Sequence, residues 1–114
     1  LAGLAADAVA LPDAWVGVET WFRAFSAYAA TKRILFQEIM DMAGREAEVF
    51  SHSRAVIGQA SELVLGNAQR AGVVRTDIEA SDVTRLVGGC TMMPGAEPGQ
   101  QERMLRLVLD GIHV

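Results

Sequence analysis

The chain has 114 residues, 51% of them hydrophobic and 21% charged, with a single cysteine and a formal net charge of −4. A chain of this length buries roughly two thirds of the surface its unfolded form exposes, enough for one core and too little for two. Cys90, alone, excludes an internal disulfide or a multi-cysteine metal centre and fits a reducing compartment, so a cytoplasmic location is expected. No uncharged apolar run reaches the ~18 to 20 residues of a membrane span, and no basic flank precedes an apolar stretch at the start, so neither a membrane partner nor a signal peptide is expected. Ten Lys and Arg face fourteen Asp and Glu, and the cations are scattered singly apart from Lys32-Arg33. Such a chain lacks the basic stripe that meets nucleic-acid phosphates.

Apolar residues recur at helical spacing almost throughout, and β-branched runs are absent, which predicts an all-α fold. Leu1 to Ala10 reads as the tail of a helix before Pro12. Pro12 and Asp13 open a second helix, running to about residue 31, whose stripe is Trp15, Val18, Phe22, Phe25 and Ala29. Lys32 to Ala43 follows with little or no break, carries Leu35, Ile39 and Met42, and closes at Gly44. From about residue 46 to 71, Val49, Phe50, Ile57, Ala60, Val64 and Ala68 hold one face until Gly72 stops the helix. After a connector over 73–80, Ser81 or Asp82 caps a helix with Val83, Leu86, Val87 and Cys90. Residues 94–99 form a loop, and Glu97 and Pro98 open a last helix with Met104, Leu105, Val108, Leu109 and Ile112. The expectation is an antiparallel bundle of about five to six helices.

Catalytic and metal signatures are sparse. Glycine-rich phosphate loops, a serine elbow and a zincin helix are all missing from the sequence. Glu48 and His52 lie one helical turn apart, but two ligands do not close a zinc site. Glu38 and Asp41 read as a solvated acidic edge, and Cys90 as packing between Val87 and Met93. No cofactor and no metal are expected.

The aromatic residues are distributed unevenly. Trp15, Trp21, Phe22, Phe25, Tyr28, Phe36 and Phe50 are all that the chain has, with Met40 and Met42 among them. They either fill a solid core or line a concave apolar site with Tyr28, Gln37, His52 and Ser53 as polar groups. Trp21 discriminates, because it lies beside the main stripe and needs its own reason for burial. In the last two helices Val83, Leu86, Val87, Cys90, Met104, Leu105, Leu107, Val108, Leu109 and Ile112 cover more than one side. They make either a fully buried hairpin in a monomer or, with a second copy, a dimeric four-helix bundle.

With these elements placed, the sequence resembles the C-terminal regulatory domain of TetR-type (tetracycline-repressor-like) transcriptional regulators. The resemblance rests on Tyr28-Ala29-Ala30-Thr31-Lys32-Arg33, on the run from Asn67 to Ile78, on Ser81-Asp82-Val83 leading to Leu86-Val87-Gly88-Gly89, and on Arg103-Met104-Leu105 to Leu109-Asp110-Gly111. Ile34 departs from it, standing where relatives carry glycine; it straightens the helix junction or narrows the cavity. The resemblance implies that residues 1–114 are one regulatory domain whose DNA-binding helix-turn-helix domain is absent from this sequence, so that DNA is met only through that missing part. It further implies a homodimer held by Val83, Leu86, Val87, Cys90, Met104, Leu105, Val108, Leu109 and Ile112. A small apolar effector is then expected among Trp21, Phe22, Phe25, Tyr28, Phe36, Met40, Phe50, Ser53 and Ile57, displacing the helix of Leu4 and Val9 and releasing a repressor from DNA. The alternatives are a purely structural dimerisation module without a ligand, and a small helical enzyme using His52.

Overall fold

The computed structural model describes the backbone of residues 2–42, 47–92, 97 and 99–114, and the side chains of 3–31, 55–91, 97 and 99–114. The described residues form five helices: α1 (Ala2–Ala10), α2 (Ala14–Met42), α3 (Ala47–Arg70), α4 (Ala80–Met92) and α5 (Gln100–Ile112). The expected bundle is therefore present, with one merger. The two helices expected on either side of residue 31 are a single α2, which passes through Ile34 without interruption. Nothing at the junction breaks a helix: no glycine or proline lies there, and the Thr31 hydroxyl donates back to the Ala27 carbonyl at 3.0 Å. The expected stop at Gly44 lies outside the described residues.

Local chemistry sets the other ends. Asp13 is the N-cap of α2 rather than part of its first turn, its Oδ1 accepting the N–H of Trp15 at 2.9 Å. Gly72, at φ 78°, closes α3: its N–H reaches the Gln69 carbonyl at 3.1 Å while the N–H of Val73 reaches that of Ala68 at 3.1 Å. That pair of bonds is a Schellman cap, in which a left-handed glycine satisfies carbonyls that the helix leaves open. α4 starts at Ala80, earlier than expected, because Asp82 caps from inside the first turn, accepting the N–H of Glu79 at 2.8 Å. α5 starts at Gln100, later than expected, after Gly99 at φ 84°.

α2 is the central element and touches α1, α3, α4 and α5. Its enclosure on several sides explains why Trp21 is as fully buried as the main stripe of Val18, Phe22, Phe25 and Ala29. α1 lies across both α2 and α3, and α4 packs on α2, α3 and α5. The α1 contact is close because small residues meet: Ala5 and Ala8 are buried, and a Cβ on Gly17 would stand 2.5 Å from the Ala8 carbonyl oxygen. A single antiparallel bridge between Val74 and His113 ties the connector after α3 to the residues following α5.

Candidate functional site

The expected effector set divides by position along α2 and α3. Trp21 and Phe22 are 0% exposed, Phe25 and Ile57 are buried, and Tyr28 is half-buried. The indole N–H of Trp21 donates to Ser61 Oγ at 3.1 Å, with Ser61 itself fully enclosed. A buried indole needs such a partner, so Trp21 is an anchored core residue between α2 and α3. The side chains of Phe36, Met40, Phe50 and Ser53 lie outside the described residues, as do those of Gln37, Glu38, Asp41, Glu48 and His52. The described part of the set thus lies in, or packed against, the buried core.

The described surface carries clefts that the described aromatic residues do not line. One, of about 560 Å³, lies around Arg75, Asp77, Gly111 and His113. Another, of about 310 Å³, lies between α2 and α5 beside Arg23, Ser26, Gln101 and Glu102. A buried polar node adjoins it. Gln101 donates through Nε2 to Ser26 Oγ at 2.8 Å, and the Ser26 hydroxyl lies 3.4 Å from Thr91 Oγ1. Thr91 gives its own proton to the Val87 carbonyl at 2.8 Å, which leaves Ser26 as donor between the two hydroxyls. The amphipathic pattern had no signal for this node, since one serine and one threonine inside apolar helices look like tolerated substitutions until their partners are known.

The nine residues expected at the dimer face also divide. Val83, Val87, Leu105, Leu109 and Ile112 are buried within the single chain, packed with the α2 and α3 core. Leu86 is 53% exposed, while Cys90, Met104 and Val108 are half-buried. Leu107, part of the excess apolar surface expected on the last two helices though not of those nine, is 72% exposed. On α5 the side chains of Met104, Leu107 and Val108 fall with Gly111 at positions i, i+3, i+4 and i+7, flanking the core face. On α4, Leu86, Gly89 and Cys90 repeat the start of that spacing. An added Cβ would meet nothing at either Gly89 or Gly111, so both stripes are open to close approach.

The charged groups pair at the surface. Arg23 donates to Glu102, joining α2 to α5, and its hydrogen bond holds the Glu102 carboxyl below the usual carboxylate range while raising the guanidinium. Arg75 grips Asp77 through both Nε and Nη2, at 2.6 and 2.7 Å, with the same effect on the Asp77 carboxyl. Among the described residues, no group of three or more His, Cys, Asp or Glu is arranged to hold a metal ion. No helix among them is long and apolar enough to cross a membrane.

The family described as transcriptional regulator SbtR-like, C-terminal domain, within the TetR type, matches residues 12–114. No curated protein and no solved structure matches the chain.

Proposed function

The chain belongs to the SbtR-like C-terminal domains of TetR-type transcriptional regulators, and on that premise we propose that it senses a small apolar effector and, as a homodimer, passes the response to a DNA-binding domain preceding α1. The observation carrying this reading is the placement of α1 across both α2 and α3, with the Ala8 carbonyl pressed on Gly17. A guest that separates the outer halves of α2 and α3 moves the surface on which α1 rests. The proposed lining is Phe25, Tyr28 and Ile57 above the Trp21 and Phe22 floor, completed by Phe36, Met40, Phe50 and Ser53. This composition is the apolar wall with few polar anchors typical of small-molecule sites.

In the intact dimer a shift of α1 changes the separation of two recognition elements that must meet half-sites about 34 to 36 Å apart. Coupling of about 1 to 3 kcal/mol weakens operator binding some 5- to 150-fold, provided the effector prefers one state. The sense of regulation is then repression relieved by ligand. The second copy is proposed to dock on the stripes of Leu86, Gly89 and Cys90 and of Met104, Leu107, Val108 and Gly111, making a twofold four-helix contact. The test is operator binding by the intact regulator, followed by fluorescence anisotropy against a panel of apolar compounds. A compound that binds this domain and releases DNA supports the proposal; compounds that bind between α2 and α3 and leave operator affinity unchanged count against it.

A further inference from the structure

Two contacts meet on the first turn of α2. The indole of Trp15 carries the imidazole of His113, with ring centroids 3.8 Å apart and planes inclined by 7°. Gly17, two residues later and so on nearly the opposite side of the helix, lies against the α1 backbone at Ala8. The turn between them is fixed by Asp13, whose Oδ1 caps the N–H of Trp15. His113 is itself held in place on both sides. The Arg75 N–H donates to the Ile112 carbonyl at 3.0 Å, the Val114 N–H donates to the Val73 carbonyl at 3.0 Å, and Arg75 Nη1 reaches the Gly111 carbonyl at 3.3 Å.

We infer that residues 112–114 form a strap which locks the first turn of α2 through the His113–Trp15 stack and thereby fixes the seat of α1. α1 rests on both α2 and α3. Its fully buried residues, Ala5 and Ala8, are small, and its larger apolar side chains, Leu4 and Val9, are only partly buried against the core, so its order depends on how firmly α2 and α3 are held beneath it. The strap joins the end of α5, which flanks the proposed second-copy face, to the helix proposed to carry the response. Sequence spacing conceals this link, because the stacked rings are separated by nearly the whole chain. The inference concerns contacts within one chain and does not depend on an effector.

Hydrogen exchange of the intact chain, followed amide by amide, tests it with His113→Ala and His113→Phe. Loss of an aromatic stack is expected to speed exchange about three- to tenfold in residues 5–10 and in the first turn of α2. Amides around Ser61 and Leu65 are expected to stay unchanged. His113→Phe keeps a planar ring on Trp15 and is expected to restore protection to within about twofold. Unchanged exchange in α1 of His113→Ala, acceleration spread evenly over all helices, or His113→Phe behaving as His113→Ala would each overturn the inference.

Discussion

The ring of Phe25 on α2 rests on Gly88 of α4, where an added Cβ would stand 3.4 Å from Cζ. Helix α4 packs on α2 at this point, and Phe25 links the proposed effector wall to a helix of the proposed dimer face.

The two buried-side glycines of these helix contacts are expected to respond in opposite ways to alanine. At Gly88 a methyl group meets the ring at ordinary contact distance, and the gain in helix propensity is about 1 kcal/mol, so Gly88→Ala should be neutral or stabilising. At Gly17 the methyl would collide at 2.5 Å with a backbone carbonyl that cannot swing aside. Gly17→Ala should therefore cost about 1 to 3 kcal/mol. Urea unfolding decides between them, and equal midpoints for the two variants would contradict the packing described.

Ser61→Ala removes the acceptor of the buried Trp21 indole N–H and should destabilise the chain by about 1 to 3 kcal/mol, well beyond the loss of a surface serine. Tryptophan emission reports the same contact. The emission maximum should shift in this variant, and a wild-type-like spectrum and midpoint would show that the hydrogen bond has no energetic weight.

Much of this architecture was legible in the sequence, and what was not has a common cause. Helical periodicity located every described helix, and glycine and aspartate chemistry marked the end of α3 at Gly72 and the start of α2 at Asp13. Periodicity reports which side of a helix is apolar; it does not report which neighbour covers that side. Hence Val83 and Leu86 looked equivalent as interface residues, although α2 and α3 bury the first and leave the second in solvent. For the same reason Ser61, Thr91 and His113 carried no signal, since each gains its meaning from a partner on another helix. Periodicity likewise does not say whether two helical segments are joined: at residue 31 no helix-breaking residue is present, and α2 runs through.

Charge placed on the outer stripes should separate association from folding. Leu107→Glu and Leu86→Glu put carboxylates on side chains already exposed in the single chain, so the fold should survive while the proposed dimer loses its contact. Val87→Asp buries an unpaired charge in the chain's own core and should cost several kcal/mol of folding stability. Sedimentation and circular dichroism together read both effects. Unchanged dimer mass in Leu107→Glu and Leu86→Glu would remove the proposed interface, and a fully folded Val87→Asp would contradict the packing of α4.

Acid sensitivity follows from the two surface ion pairs. The Glu102 and Asp77 carboxyls are held below their usual range by Arg23 and Arg75. A lowered folded-state value gives stability that is present above the unfolded-state value, near 4, and is lost as pH falls through the folded one. Glu102→Gln should therefore melt slightly below the wild type at neutral pH, and the gap should close in strong acid, once the wild-type carboxylate is protonated in the folded chain. Both groups are well exposed, so screening makes the effect small and salt-sensitive. A gap that persists unchanged in strong acid would show that the pair acts through packing.

Titration of the purified chain with the apolar fluorescent probe aminoanthracene reads the proposed effector site most directly. An apolar chamber between the outer halves of α2 and α3 predicts saturable binding that disappears when Met40→Trp or Phe50→Trp fills the space, with helix content and mass unchanged. Absence of saturable binding in the wild type, or binding that survives both substitutions, would contradict it.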